Sequence, residues 1–229
     1  MKGEEAKNDQ TAVAQTEKTF LLLKNSPTEL FDKADIVAMP LSGYDSRARE
    51  IVLPFFCPEN KLGQLKADLK KALSCGIRKF RVSSLFGLEM LKNYKDCAVA
   101  VSFPLPACNS LAVCEFRRLG VSKVQVWIEL ESTSIEKVIE KSPPPVEIYE
   151  FGRPHILVTR AEISTRKQIC DYRNNTFTVE KGEDGITYLY PDKTMKIPNP
   201  KKLPSFHDFT HSSTEETDSS RFNYDRILE

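Results

Sequence analysis

Residues 62–83 read LGQLKADLKKALSCGIRKFRVS, and this stretch holds one full unit of the chain's repeating plan. Leu62, Leu65, Leu69 and Leu73 recur at three- and four-residue spacing, which lines them up along one stripe of a helix. Lys66, Lys70 and Lys71 take other positions around it. Gly76 closes the pattern, because glycine enters the left-handed backbone region of a helix C-terminus without a Cβ penalty. The period then changes, and residues 79–83 form a short strand candidate.

The same alternation extends in both directions. Strand candidates are residues 20–24, 36–40, 51–56, 98–103, 123–128 and 146–151, with a further run at 156–159. They are rich in Val, Ile and Phe, as strands buried on both faces are. Residues 110–119 form a second helix, which Asn109 caps and Gly120 ends. A third starts at Thr133, where Thr133 and Glu136 make a capping-box pattern, and Pro143, Pro144 and Pro145 stop it. Strand–helix–strand steps imply right-handed parallel crossovers, hence an α/β fold with a parallel sheet or barrel. The patterned region, residues 20–159, covers 140 positions, whereas a full eight-fold barrel takes about 250 residues. The expectation is therefore a partial TIM-type barrel. Its open sheet edges would seek cover by self-association or from a partner chain supplying the missing strands.

The flanks read differently. Residues 1–18 are polar and expected to be flexible, so the barrel segment runs over 19–163. Residues 177–179 and 186–190 flank a turn-rich stretch and predict a β-hairpin. That hairpin and the prolines after it make an extension over 164–204. Residues 205–229 are Ser/Thr-rich and acidic and read as a disordered tail.

Composition narrows the function classes. The chain has 229 residues, 40% hydrophobic and 28% charged, with 33 Lys plus Arg against 32 Asp plus Glu. This balance gives no global attraction to nucleic acid or membrane. The first residues, MKGEEAKNDQ, lack the apolar core of a secretory signal, and no run is long enough to span a bilayer, so a cytoplasmic location is expected. The six cysteines, Cys57, Cys75, Cys97, Cys108, Cys114 and Cys170, include no CxxC pair and read as reduced, small buried hydrophobes. No Walker loop, GxGxxG, GxSxG or HExxH motif is present. Zinc is not expected either, because no clustered Cys/His spacing occurs.

Two motifs carry a resemblance. Asn109-Ser110-Leu111-Ala112, then Leu119-Gly120-Val121, lead into residues 124–131 with Glu129-Leu130 at the strand end. Glu147, then Phe151-Gly152-Arg153-Pro154, lead into residues 157–160. In order and spacing these resemble the collagenase-like peptidase family, peptidase family U32. Leu53-Pro54 and residues 76–84 fit more loosely, and the hairpin around Gly185 resembles the family's small β-extension. The resemblance implies a strand–helix barrel and a hydrolase of peptidase type. It also brings the family's other role, the hydroxylation of RNA bases or of quinone precursors, and with it an RNA substrate in place of a peptide. Several such members hold an iron–sulfur cluster on four cysteines that follow the Gly-Arg segment. Here only Cys170 follows Arg160, so no cofactor is expected.

The candidate site follows from both lines. Glu129 ends a parallel strand, where barrels carry their active sites. It is a candidate catalytic base, or else a helix cap or ion-pair partner. His155 lies just past the next strand and is the second catalytic candidate, able to exchange protons near neutral pH. Arg153 beside it suits a phosphate or carboxylate. Asn109 can bind substrate at the mouth or serve only as a cap. With Glu147 and Arg160, placed by the resemblance, these are the candidate substrate-binding residues. Residues 61–81 carry Lys61, Lys66, Lys70, Lys71, Arg78, Lys79 and Arg81 against Asp68 alone, and Lys193, Lys196, Lys201 and Lys202 follow later. These runs can serve an RNA- or protein-binding module, or a solvated face.

Overall fold

The computed structural model of the protein describes residues 16–142, 145–161, 163, 167–182, 185–199, 201–212, 214 and 220–221. Residues 1–15 of the expected flexible segment, and the larger part of the expected tail, lie outside these. The elements run β1 (Lys18–Leu21), α1 (Thr28–Lys33), β2 (Ile36–Pro40), β3 (Glu50–Val52), α2 (Leu62–Ser74), β4 (Lys79–Val82), α3 (Leu85–Leu91), β5 (Ala98–Val101), α4 (Ser110–Arg118), β6 (Lys123–Gln125), α5 (Ser132–Lys141) and β7 (Val146–Gly152). Then come β8 (Leu157–Thr159), β9 (Gln168–Cys170), β10 (Thr176–Lys181), β11 (Thr187–Pro191), β12 (Met195–Lys196), β13 (Ser205–Asp208) and β14 (Ser220–Arg221).

Strands β1 to β7 pair in sequence order, each parallel to the next. β13 then pairs parallel to both β7 and β1. The ring therefore closes on eight parallel strands. It is a complete barrel rather than the partial one expected, and its ring leaves no strand for a partner to supply. The eighth strand, Ser-Phe-His-Asp, falls at the start of the segment that reads as an acidic tail. Four residues with alternating polar side chains carry too little apolar signal to be seen as a strand. The ring also needs fewer residues than usual. A loop, residues 41–49, joins β2 to β3 where a helix would normally lie, and α1 and α3 are only 6 and 7 residues long.

The helices pack as their patterns predict. α2 buries Leu65, Leu69 and Ala72, and Gly76 turns the chain at φ +87°. α4 is capped by Asn109, whose Oδ1 accepts from the Ala112 amide at 2.9 Å. α5 departs from expectation. It begins at Ser132 with Glu131 as its extended N-cap residue, so Thr133 sits inside the first turn. The Glu131 carbonyl already accepts from the Ser134 and Ile135 amides, at 2.9 and 3.0 Å, which starts the helix ahead of the capping-box residues.

The expected hairpin is β10 with β11, paired antiparallel from Phe177–Pro191 to Lys181–Thr187. It belongs to a four-stranded antiparallel sheet in the order β8-β11-β10-β9. Residues 157–159 thus leave the barrel and join this extension. None of the six cysteines is buried: Cys57 and Cys97 are half-buried and the other four exposed. Free cysteine is accepted at these sites, but the core is filled by Val, Ile, Leu and Phe.

Candidate active site at the barrel mouth

The barrel interior is charged. Arg81 on β4 and Glu147 on β7 touch although three strand steps separate them in the ring, so both side chains point into the lumen. Arg81 Nη1 and Nη2 donate to the two Glu147 oxygens at 2.6 and 3.0 Å, and its Nε donates to Glu50 at 2.5 Å. Gln125 Nε2 donates to Glu147 at 3.0 Å, and Lys123 stands 3.4 Å away from it. Lys123 in turn pairs with Glu17 at 2.5 Å. Burial opposes ionisation of Glu147, but the Arg81 guanidinium outweighs it and holds the carboxyl below its ordinary value. Burial likewise opposes the charge on Arg81, and Glu147 and Glu50 restore it. Glu147, expected to meet substrate, is thus a fully buried partner in the barrel's central ion network. Arg81, counted in the basic run, is the centre of that network and only 1% exposed.

Above this layer, at the C-terminal ends of the strands, lies a cavity of about 110 Å³. Tyr149, Arg153, His155, Tyr190, Asp208 and His211 contribute to its walls. The C-terminal mouth is where barrels of this type place their chemistry, since loops from several strands converge there. Arg81 stacks over the Phe206 ring, 4.2 Å from its centre, and makes part of the floor. The antiparallel sheet supplies Tyr190 and so leans over the mouth.

Asp208 ends β13. Its Oδ1 accepts from the Thr210 amide and hydroxyl, at 2.9 and 2.6 Å. Burial raises the Asp208 carboxyl above its ordinary value although the Thr210 hydrogen bonds pull the other way. The Tyr149 hydroxyl faces this carboxylate without a well-aligned hydrogen bond. Burial first, and Asp208 next, push the phenol well above its usual range. Gly152 makes the juxtaposition possible. Its φ is +140°, and a Cβ there would stand 2.3 Å from the Tyr149 hydroxyl and 2.7 Å from Asp208 Cβ. Only glycine fits that backbone and that gap.

His155 sits in an aromatic shell. Ring centres of Phe103, Tyr188, Phe55 and Tyr190 lie 5.0, 5.8, 6.2 and 6.3 Å away. Its Nε2 is buried with no hydrogen-bond partner among the described residues. Burial lowers its pKa from 6.5 to about 4, so it is neutral at pH 7. Arg153 pins the extension to the barrel. Its Nε donates to the Pro191 carbonyl at 2.6 Å and its Nη2 to Thr178 Oγ1 at 3.2 Å, with Asp192 at 3.7 Å.

The structure therefore gathers two of the sequence candidates, His155 and Arg153, at the mouth. The others lie apart. Glu129 is exposed on the loop after β6, where it accepts from Trp127 Nε1 at 3.2 Å. Asn109 is occupied as the α4 cap. Arg160 stacks over Phe56, 4.7 Å from the ring centre, beyond the end of β8. Asp208, Tyr149 and His211 were not among the candidates. Asp208 and His211 arrive with β13, which forms through backbone pairing to two neighbours and carries no local sequence signal.

The basic runs are dispersed as well. Arg78 pairs with Asp96 at 3.0 Å and Lys201 with Glu136 at 2.9 Å. An iron–sulfur cluster would need four convergent thiolates. Among the described residues, no three His, Cys, Asp or Glu side chains gather as metal ligands, and the cysteines are scattered over separate elements. The residues present do not fit that group. No described helix is long and apolar enough to cross a membrane.

Fold and mouth together define an eight-stranded α/β barrel with a β-sheet extension leaning over its C-terminal face. Among solved structures, this fold matches that of the U32 peptidase Mk0906 with a TM-score of 0.55, over 93% of this chain and 98% of the other, at 12% sequence identity. The chain thus has a U32-like fold. No protein-family profile and no curated protein matches the sequence.

Proposed function

We propose that this chain is a peptidase-type hydrolase working at the barrel mouth, with Asp208 as its general acid–base. The observation that carries this reading is the half-buried Asp208 carboxyl, raised in pKa by desolvation, beside the Tyr149 phenol in the C-terminal cavity. A carboxyl tuned upward by burial accepts and returns protons nearer neutral pH. The U32-like fold supports the choice of amide hydrolysis over other proton-transfer chemistry.

Thr210 occupies Asp208 Oδ1, which leaves Oδ2 for a water molecule. Asp208 takes a proton from that water as its oxygen bonds to the substrate carbonyl carbon. The same proton then passes to the departing nitrogen as the carbon–nitrogen bond breaks, so Asp208 ends as it began. In this reading Tyr149 and His155, whose Nε2 has no partner among the described residues, donate to the carbonyl oxygen as it gains negative charge. Arg153 holds the extension in position over the reacting groups.

Turnover of gelatin and of unstructured fluorogenic peptides tests the reading. Wild type should cleave, and His155→Phe should reduce kcat by about 10²–10³-fold, as loss of one oxyanion donor does. Equal turnover by the variant would remove His155 from the mechanism.

A further inference from the structure

We infer that the substrate is a single extended peptide strand that binds by pairing with the free edge of β8. This rests on the peptidase reading and names its substrate class. The antiparallel sheet has β8 and β9 as its two edges. Among the described residues β8 pairs with β11 alone, and no other strand pairs with its second side. An extended peptide satisfies such an edge by adding a strand, with main-chain hydrogen bonds giving affinity. β8 begins two residues after His155, so at a rise of about 3.3 Å per residue its first residue lies within about 7 Å of the mouth. On this proposal the bound strand leads from the start of β8 towards His155.

The surface chemistry agrees. Ile156 and Leu157, at the start of β8, are 52% and 45% exposed. They are adjacent in the chain and offer alternate faces to a peptide's side chains. The cavity points the same way. At about 110 Å³ it is well below the roughly 300–1,000 Å³ of ordinary ligand pockets. A cavity of this size suits a single chain segment reaching into it.

The test is binding of fluorescein-labelled unstructured peptides to the full chain, followed by anisotropy, with cleavage measured in parallel. Single backbone N-methylation is scanned along the peptide. Pairing to an edge predicts a loss of affinity of tenfold or more at every second residue and tolerance between. Leu157→Lys, which puts a charge on the edge, should weaken binding at least tenfold. Tyr172→Lys, an exposed change near the opposite edge, should leave it unchanged. Uniform tolerance of N-methylation, wild-type binding by Leu157→Lys, or no peptide binding at all would overturn the inference. Alternating binding without cleavage would sustain it and remove the peptidase reading instead. Cleavage without alternation would do the reverse.

Discussion

Replacing Arg81 by Met should cost more stability than any other single change in the lumen. Arg81 is 1% exposed and holds Glu147 through two hydrogen bonds, at 2.6 and 3.0 Å, and Glu50 through a third at 2.5 Å. Methionine fills much of the space but leaves two buried carboxylates without their main counter-charge. Breaking a buried pair from one side costs about 3–5 kcal/mol. Lys123, 3.4 Å from Glu147, compensates only part of it. Against a total stability of about 5–15 kcal/mol this is a large fraction. With a urea m-value of about 2–3 kcal/mol/M, the unfolding midpoint at pH 7 should fall by about 1–2 M. The pH dependence should change sign. In wild type the Glu147 pKa lies below its unfolded value of 4.5, so its stabilisation is present above that pH and is lost as pH falls through the folded value. Without Arg81, burial is opposed only by Lys123 and the Gln125 hydrogen bond, and the Glu147 pKa should rise above the unfolded value. Relative to wild type measured at the same pH, where both proteins carry the same loss from His155, the variant should then gain stability as pH is lowered from 7 towards 5. Removing all three charges, in Glu50→Gln/Arg81→Met/Glu147→Gln, should recover much of the loss. An Arg81→Met protein with the wild-type midpoint, or with the wild-type pH slope, would refute the account of the lumen.

Other outcomes follow from single contacts. Gly152→Ala should lower stability by about 1–3 kcal/mol, read from thermal or urea unfolding, because the new Cβ meets the Tyr149 hydroxyl and Asp208 at a left-handed φ. His155, held near pKa 4 against 6.5 unfolded, should withdraw about 3 kcal/mol of stability as pH falls from 6.5 to 4, a shift of one pK unit being worth about 1.4 kcal/mol. That loss should be absent in His155→Phe when the two are compared by urea titration at each pH. Asn109→Ala should cost about 1 kcal/mol as a lost helix cap and leave peptide turnover unchanged. Glu129→Gln should also leave turnover within a few fold, because Glu129 stands outside the cavity; a large loss would return it to the site.

The repeating strand–helix units were legible because the strands are apolar on both faces and the helices carry clear stripes. Seven barrel strands sit where the runs of Val, Ile and Phe predicted, and Asn109 and Gly76 do the terminal work expected of them. The closing strand was not legible. Ser205, Phe206, His207 and Asp208 form it through backbone pairing to two neighbours at once, a long-range effect that local pattern does not report. The same omission hid Asp208 and His211, which arrive in the cavity wall with that strand. The resemblance singles out Glu147, and the structure makes it a buried ion-pair partner of Arg81. A carboxylate on a strand of Val, Ile, Tyr and Phe needs a buried counter-charge, and Arg81, flanked by Phe80 and Val82, carries the matching pattern.

Hydrolysis of unstructured fluorogenic peptides by wild type and by Asp208→Asn measures the central claim most directly. Asparagine keeps the shape and can still meet Thr210, but it cannot carry the proton. The account predicts cleavage by wild type and a loss of about 10²–10⁴-fold in kcat for the variant, with its urea midpoint preserved. Undiminished turnover by Asp208→Asn would contradict it.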